Sequence, residues 1–109
     1  MIARIWNGYA TNANAPAYES LLQEKIIPSI EQKNISGFKG LQLLKRDLGN
    51  ETAFTTIMWF ESMDAVKQFA GEDFETAHVP AESQAILSRF DGRSVHCELR
   101  YDNLAKQHC

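Results

Sequence analysis

Cysteine is scarce: Cys97 and Cys109 are the two in a chain of 109 residues. Two thiols, one in a strand-like segment and one at the chain end, make no disulfide framework, so a reduced, cytoplasmic protein is expected, with Cys97 as a small buried apolar residue. Positive charge is also short. Lys and Arg number 11 against 14 Asp and Glu, for a net charge of −3. With no basic stripe, nucleic acid is not an expected partner. The apolar runs fall short of the ~20 residues that cross a bilayer, so no membrane partner is expected. The opening MIARIWN lacks the charged-then-apolar order of a secretory signal. His78, His96 and His108 are too scattered for a zinc ligand set, and no metal site is expected. Proline is rare enough that each one marks an event: Pro16 suits a helix start, Pro28 an interruption and Pro80 a stop.

What the chain does have is a run of β-branched and aromatic residues from Thr52 to Phe60, suited to a mostly buried strand. The run ends at Glu61-Ser62. Ser62 is placed to cap a helix, and Asp64 sits where the helix dipole favours an anion. Val66, Phe69 and Ala70 then share one helical face, and Gly71 is a natural stop. Upstream, residues 2–9 alternate between two apolar faces and predict a strand. Tyr18, Leu22, Ile26 and Ile30 recur every four residues and predict a helix from Pro16 to the low thirties, kinked or broken at Pro28. Residues 38–47 predict a second strand. The short turn Leu48-Gly49-Asn50 forces an antiparallel hairpin with the third. A short helix is expected over 73–79, a helical turn or two over 82–89, and a last strand over 93–101.

The order β-α-β-β-α-β predicts an α+β, ferredoxin-like fold: a four-stranded antiparallel sheet with both helices on one face. One domain over residues 1–101 and a polar tail over 102–109 are expected. The other sheet face, with Trp6 assigned to it, is too apolar to stay wet, so a homodimer through that face is expected.

The stretches MIARIWNG, SGFKGLQLLKR and FTTIMWFESMDAVKQFAGEDFETA resemble the antibiotic-biosynthesis-monooxygenase-like family, small dimeric α+β-barrel proteins. The resemblance runs from Met1 to about Leu99. It implies a small-molecule pocket between sheet and helices in each subunit, and oxygenation of a small aromatic or polyketide-type molecule without metal, flavin or other cofactor. A base there favours the anion of a phenolic or quinol-type substrate, which reacts with O₂ directly.

Asn7 and His78 are the candidate catalytic pair, Asn7 to hold the substrate oxygen and His78 to take the proton. The bland readings are an amide bonded to a neighbouring loop and a surface histidine at a helix end. Met58, Trp59, Phe69 and Phe74 are candidates to line an aromatic-rich cavity, each with ordinary core packing as the competing reading. Met58 and Trp59 point opposite ways on the strand, so only one can face the cavity. Haem-degrading relatives of the family carry an Asn on the first strand and a His after the second helix, which makes haem binding through His78 an alternative. They also carry a Trp on that helix, where this chain has Phe69. A dimeric binding or stress-related protein without turnover is the remaining alternative.

Overall fold

The structure is a computed structural model and describes residues 1–104. Five strands form one antiparallel sheet: β1 (Ile2–Thr11), β2 (Phe38–Asp47), β3 (Glu51–Phe60), β4 (Arg89–Phe90) and β5 (Val95–Glu98). β3 lies between β2 and β1, and the far side of β1 is shared by β4 and β5. The sheet therefore has four strand positions, as expected, and the last is filled by two short pieces. The expected strand over 93–101 is shorter than predicted. Most of the predicted tail, 105–109, lies outside the described residues.

The first helical stretch runs from Ala15 to Glu31 without a break. It comprises α1 (Ala15–Leu21), a π-helical turn (Leu22–Ile26) and α2 (Ile27–Glu31). Pro28 does not end it. The irregularity falls just before the proline, where the Ile27 N–H reaches back five residues to the Leu22 carbonyl. A widened turn relieves the clash a proline ring makes with the carbonyl four residues earlier. Ser29 Oγ donates to the Ile26 carbonyl at 2.7 Å. Asn34, in the left-handed region at φ 52°, turns the chain out of the helix.

α3 (Met63–Ala70) forms as its caps dictate. Ser62 Oγ accepts from the Ala65 N–H at 3.2 Å, and Gly71 leaves the helix at φ 87°, which side chains resist. The helix predicted over 73–79 is absent. That segment is irregular and is tied to the sheet margin instead, through Ala77 N–H to the Gly92 carbonyl and Ser94 N–H to the Glu75 carbonyl. α4 (Ala81–Ile86) follows Pro80.

Register assigns the faces. On β3, Phe54, Thr56, Met58 and Phe60 face the helices, opposite Gly8, Trp6, Arg4 and Ile2 of β1. Ala53, Thr55, Ile57 and Trp59 face away, beside Tyr9, Asn7, Ile5 and Ala3. Trp6 is thus on the helix side, contrary to its predicted place. Its indole lies over Gly8, where an added Cβ would sit 2.7 Å from the ring, so glycine two residues on makes room for it.

The helix side holds two buried clusters. One joins Ala10, Ala15, Tyr18, Leu22, Phe54 and Leu87; the other joins Met58, Phe60, Ala65 and Val66. Between Phe54 and Met58 the same strand face offers only Thr56. A small side chain at the seam of two clusters leaves space above it.

Candidate functional site

That space is a cavity of about 110 Å³. Trp6, Thr56 and Met58 form its floor, Tyr18, Leu22, Ile26, Ile27 and Ile30 one wall, and Phe69 the end toward α3. The segment 77–80 and Ser83 close the opposite side, with Ser94 beside them. The floor is set by β1–β3 register and the wall by the four-residue stripe of the first helix. The π turn lies within that wall and brings Ile26 and Ile27 into it together.

Of the predicted site residues, the structure brings Met58, Phe69 and His78 together on this cavity. The other three lie elsewhere. Asn7 is on the opposite sheet face. Its Oδ1 accepts from Thr55 Oγ1 at 2.6 Å and its Nδ2 donates to Asp91 Oδ2 at 3.0 Å, so both ends of the amide brace the sheet. Trp59 shares that face, and its Nε1–H donates to Gln42 Oε1 at 2.9 Å. Phe74 packs edge-on to the His96 ring at 5.4 Å, outside the cavity.

His78 is exposed at the rim. It follows an irregular segment rather than ending a helix. Residues 77–80 line the cavity on one side and a shallow outer depression on the other, so the wall here is one chain thick. An imidazole so placed reaches both the interior and bulk water. Tyr18 is its contrast. It is 1 % exposed, packed edge-on to Phe54 at 5.1 Å, and burial pushes its phenol up to about 12. Tyr18 therefore stays protonated at neutral pH and is no base.

Several lining residues carry no signal in the sequence. Thr56, Ser83 and Ser94 are small hydroxyls without a pattern of their own. Trp6 had one, in the glycine two residues later on the same strand face.

A second polar cluster lies next to the cavity end. Arg4 is 5 % exposed, and among the described residues it has no carboxylate partner. Its Nη1 donates to the Phe74 carbonyl and lies 2.9 Å from His96 Nε2. Its guanidinium also sits 5.8 Å from the Phe69 ring centre. Arginine has no acceptor, so Nε2 must keep its lone pair and His96 must be neutral. Burial and then the Arg4 charge lower the His96 pKa, against a smaller pull upward from Glu75.

A lowered histidine pKa means that the unfolded chain binds the proton more readily. Stability from this pair is complete above the ordinary histidine value of ~6.5 and is lost as pH falls through the depressed folded value. The urea midpoint of the wild type should therefore drop between pH 7.5 and 5.5. In His96→Gln, which keeps an acceptor for Arg4 and cannot titrate, the drop should be smaller. Equal slopes in the two proteins would show that His96 does not govern this range.

The described residues contain no group of three or more His, Cys, Asp or Glu placed to hold a metal ion. No helix among them is long and apolar enough to cross a membrane.

No protein-family profile and no curated protein matches this chain by sequence. Solved structures do match it by fold. A proposed antibiotic biosynthesis monooxygenase from Bacillus cereus aligns with a TM-score of 0.67 at 14% identity, covering 98% of both chains. A Streptomyces coelicolor monooxygenase in complex with nanaomycin D gives 0.59 at 15%, covering 96% of this chain and 92% of that one. The haem degrader MhuD of Mycobacterium tuberculosis, with two haems bound in its active site, gives 0.61 at 21%, covering 94% and 99%. The chain therefore has the α+β, ferredoxin-like fold of the antibiotic biosynthesis monooxygenases and aligns over nearly the full length of each.

Proposed function

We propose that this protein is a cofactor-independent monooxygenase acting on a small aromatic, quinol-type molecule held in the 110 Å³ cavity. The observation that carries this reading is His78 at the rim of a cavity otherwise walled by Trp6, Leu22, Ile26, Met58 and Phe69. The apolar wall can hold a flat phenol, and the imidazole at the mouth is placed to take its proton. The substrate supplies every electron. A phenolic C–H reacts with O₂, one oxygen atom becomes a ring carbonyl, and the other leaves as water with the two hydrogens lost. His78 takes the phenolic proton and returns it to the departing oxygen.

The test is oxygen consumption with a panel of single-ring phenols and quinols. Uptake matched by quinone formation supports the reading. Binding of panel members without uptake supports a ligand-binding protein without turnover instead.

Haem binding through His78 is the alternative reading and uses the same lining residue. Mixing with hemin and recording the visible spectrum tests it: a Soret shift abolished by His78→Ala supports haem binding, and an unshifted band rules it out.

The exposed thiol of Cys97 suits a reducing compartment, and we place the protein in the cytoplasm. Cys97 was expected to be buried. It lies on the outward face opposite Ala3, where a second copy would cover it. That face carries Ile5, Tyr9, Ile57 and Trp59, with Leu44 at 50% and Val95 at 58% exposure. A homodimer packed through it would remove this surface from water. Light scattering at micromolar concentration should give twice the chain mass. Ile57→Asp, at the centre of the face, should give a monomer. A wild-type monomer would overturn the assembly.

A further inference from the structure

Ser83, a residue of the cavity wall, carries a buried side-chain oxygen, Oγ, with no hydrogen-bond partner among the described residues. Ser83 is 1 % exposed and lines the cavity. A hydroxyl hidden from water and left unpaired weakens the fold, because its lost hydration is not replaced. Nothing in α4 calls for it. The helix turn is made by the backbone, with Ser83 N–H donating to the Pro80 carbonyl at 3.0 Å and its own carbonyl accepting from Leu87 N–H at 2.9 Å. Alanine would serve those bonds equally well and is the better helix former.

The surroundings narrow what could satisfy Ser83. Most of the lining is aliphatic or aromatic, and the cavity volume is that of about one ring. The other hydroxyls in the wall are Thr56 and Ser94, and His78 is at the rim. A guest that fits is a single apolar ring bearing an oxygen.

We propose that Ser83 is the specificity residue of this cavity, selecting ring ligands by a hydrogen bond to one hydroxyl or carbonyl oxygen. This rests on the cavity being the ligand site, and not on oxygenation taking place there. A site built to pair with an oxygen rejects the analogue that lacks it, since the wall hydroxyl then stays unsatisfied.

Phenol and toluene have nearly the same shape and differ in that oxygen. Their dissociation constants can be measured by titration followed by NMR on the full chain, for the wild type, Ser83→Ala and Ser83→Cys. The ratio of phenol to toluene constants should rise about tenfold in Ser83→Ala, the worth of one hydrogen bond. Ser83→Cys keeps the shape, weakens the bond, and should move the ratio the same way. Ligand-free Ser83→Ala should melt no lower than the wild type, because an unpaired hydroxyl has been removed. An unchanged ratio, binding of neither compound, or a lowered melting temperature for the free variant would each overturn the proposal. Oxygen consumption is not part of this readout. A protein that shows the ratio change and consumes no oxygen keeps Ser83 in its role and loses the monooxygenase reading.

Discussion

Phe60→Ala should cost about 3–5 kcal/mol of stability, the usual range for emptying a large buried aromatic site. Phe60 is fully buried and ends the central strand, where its neighbours in register are Ile2 of β1 and Phe38 of β2. Its ring lies 5.5 Å from that of Phe38 and 5.7 Å from that of Phe69 on α3. It therefore joins three strands to a helix at one point, and truncation opens a hole that none of them can fill by a rotamer change alone. Against a total of about 5–15 kcal/mol for a domain of this size, the loss is a large fraction. With an m-value of about 2 kcal/mol/M, the urea midpoint should fall by roughly 2 M. Phe60→Leu, which keeps most of the volume, should cost less than about 2 kcal/mol. The comparison must be made at one protein concentration, since any dimer adds to apparent stability. A Phe60→Ala loss below about 1 kcal/mol would mean that this point is not where sheet and helix are joined.

The second large effect concerns chemistry. With a substrate that supports oxygen uptake, His78→Ala should lower turnover by about 10²–10⁴-fold, the span of one general base. His78 is exposed at the cavity rim, so its removal opens no hole, and the unfolding free energy should hold within about 0.5 kcal/mol of the wild type. His78→Gln can form a hydrogen bond but cannot take up a proton at neutral pH, and should be as slow as the alanine variant. If Gln retains most of the activity, His78 positions the substrate and some other group takes the proton. If both variants turn over normally, the base assignment is wrong.

The parts of the fold that could be read from the sequence are those decided by near neighbours. The β2–β3 hairpin follows from a three-residue turn, and α3 from Ser62 and Gly71 at its ends. Each is a contact of a few residues, and each appears where expected. The stretch 73–79 misled because its composition allows a helix, while its actual hydrogen bonds run to Gly92 and to the backbone at Ser94, far along the chain. Asn7 misled for a related reason. Strand alternation says that neighbours face opposite ways but not which way is inward. Both faces of β1 carry large apolar residues, so the choice between Trp6 and Asn7 was made by Gly8 and by packing against Leu87. The same ambiguity put Trp59 among the ligand-facing residues while Met58 holds the place. Arg4 and His96, 92 positions apart, meet only because β1 and β5 pair. Ser83 gave no sign at all, since an unpaired hydroxyl is a property of its surroundings.

If the proposed cavity is the ligand site, the single-layer wall at 77–80 is the thinnest barrier between it and solvent. Among the described residues His78 and Val79 donate no backbone hydrogen bond, and the stretch is pinned at Ala77 and by Gln84, whose Nε2 donates to the Val79 carbonyl at 2.8 Å. Displacing it breaks few backbone hydrogen bonds and, of the buried clusters, disturbs only the edge that Val79 covers. Amide hydrogens there should exchange far faster than those of β1 or β3, through local opening rather than global unfolding. Guest association should then follow the opening rate of this stretch. Variants that weaken the core, Phe60→Ala among them, would shorten the lifetime of the folded protein without changing how quickly it fills.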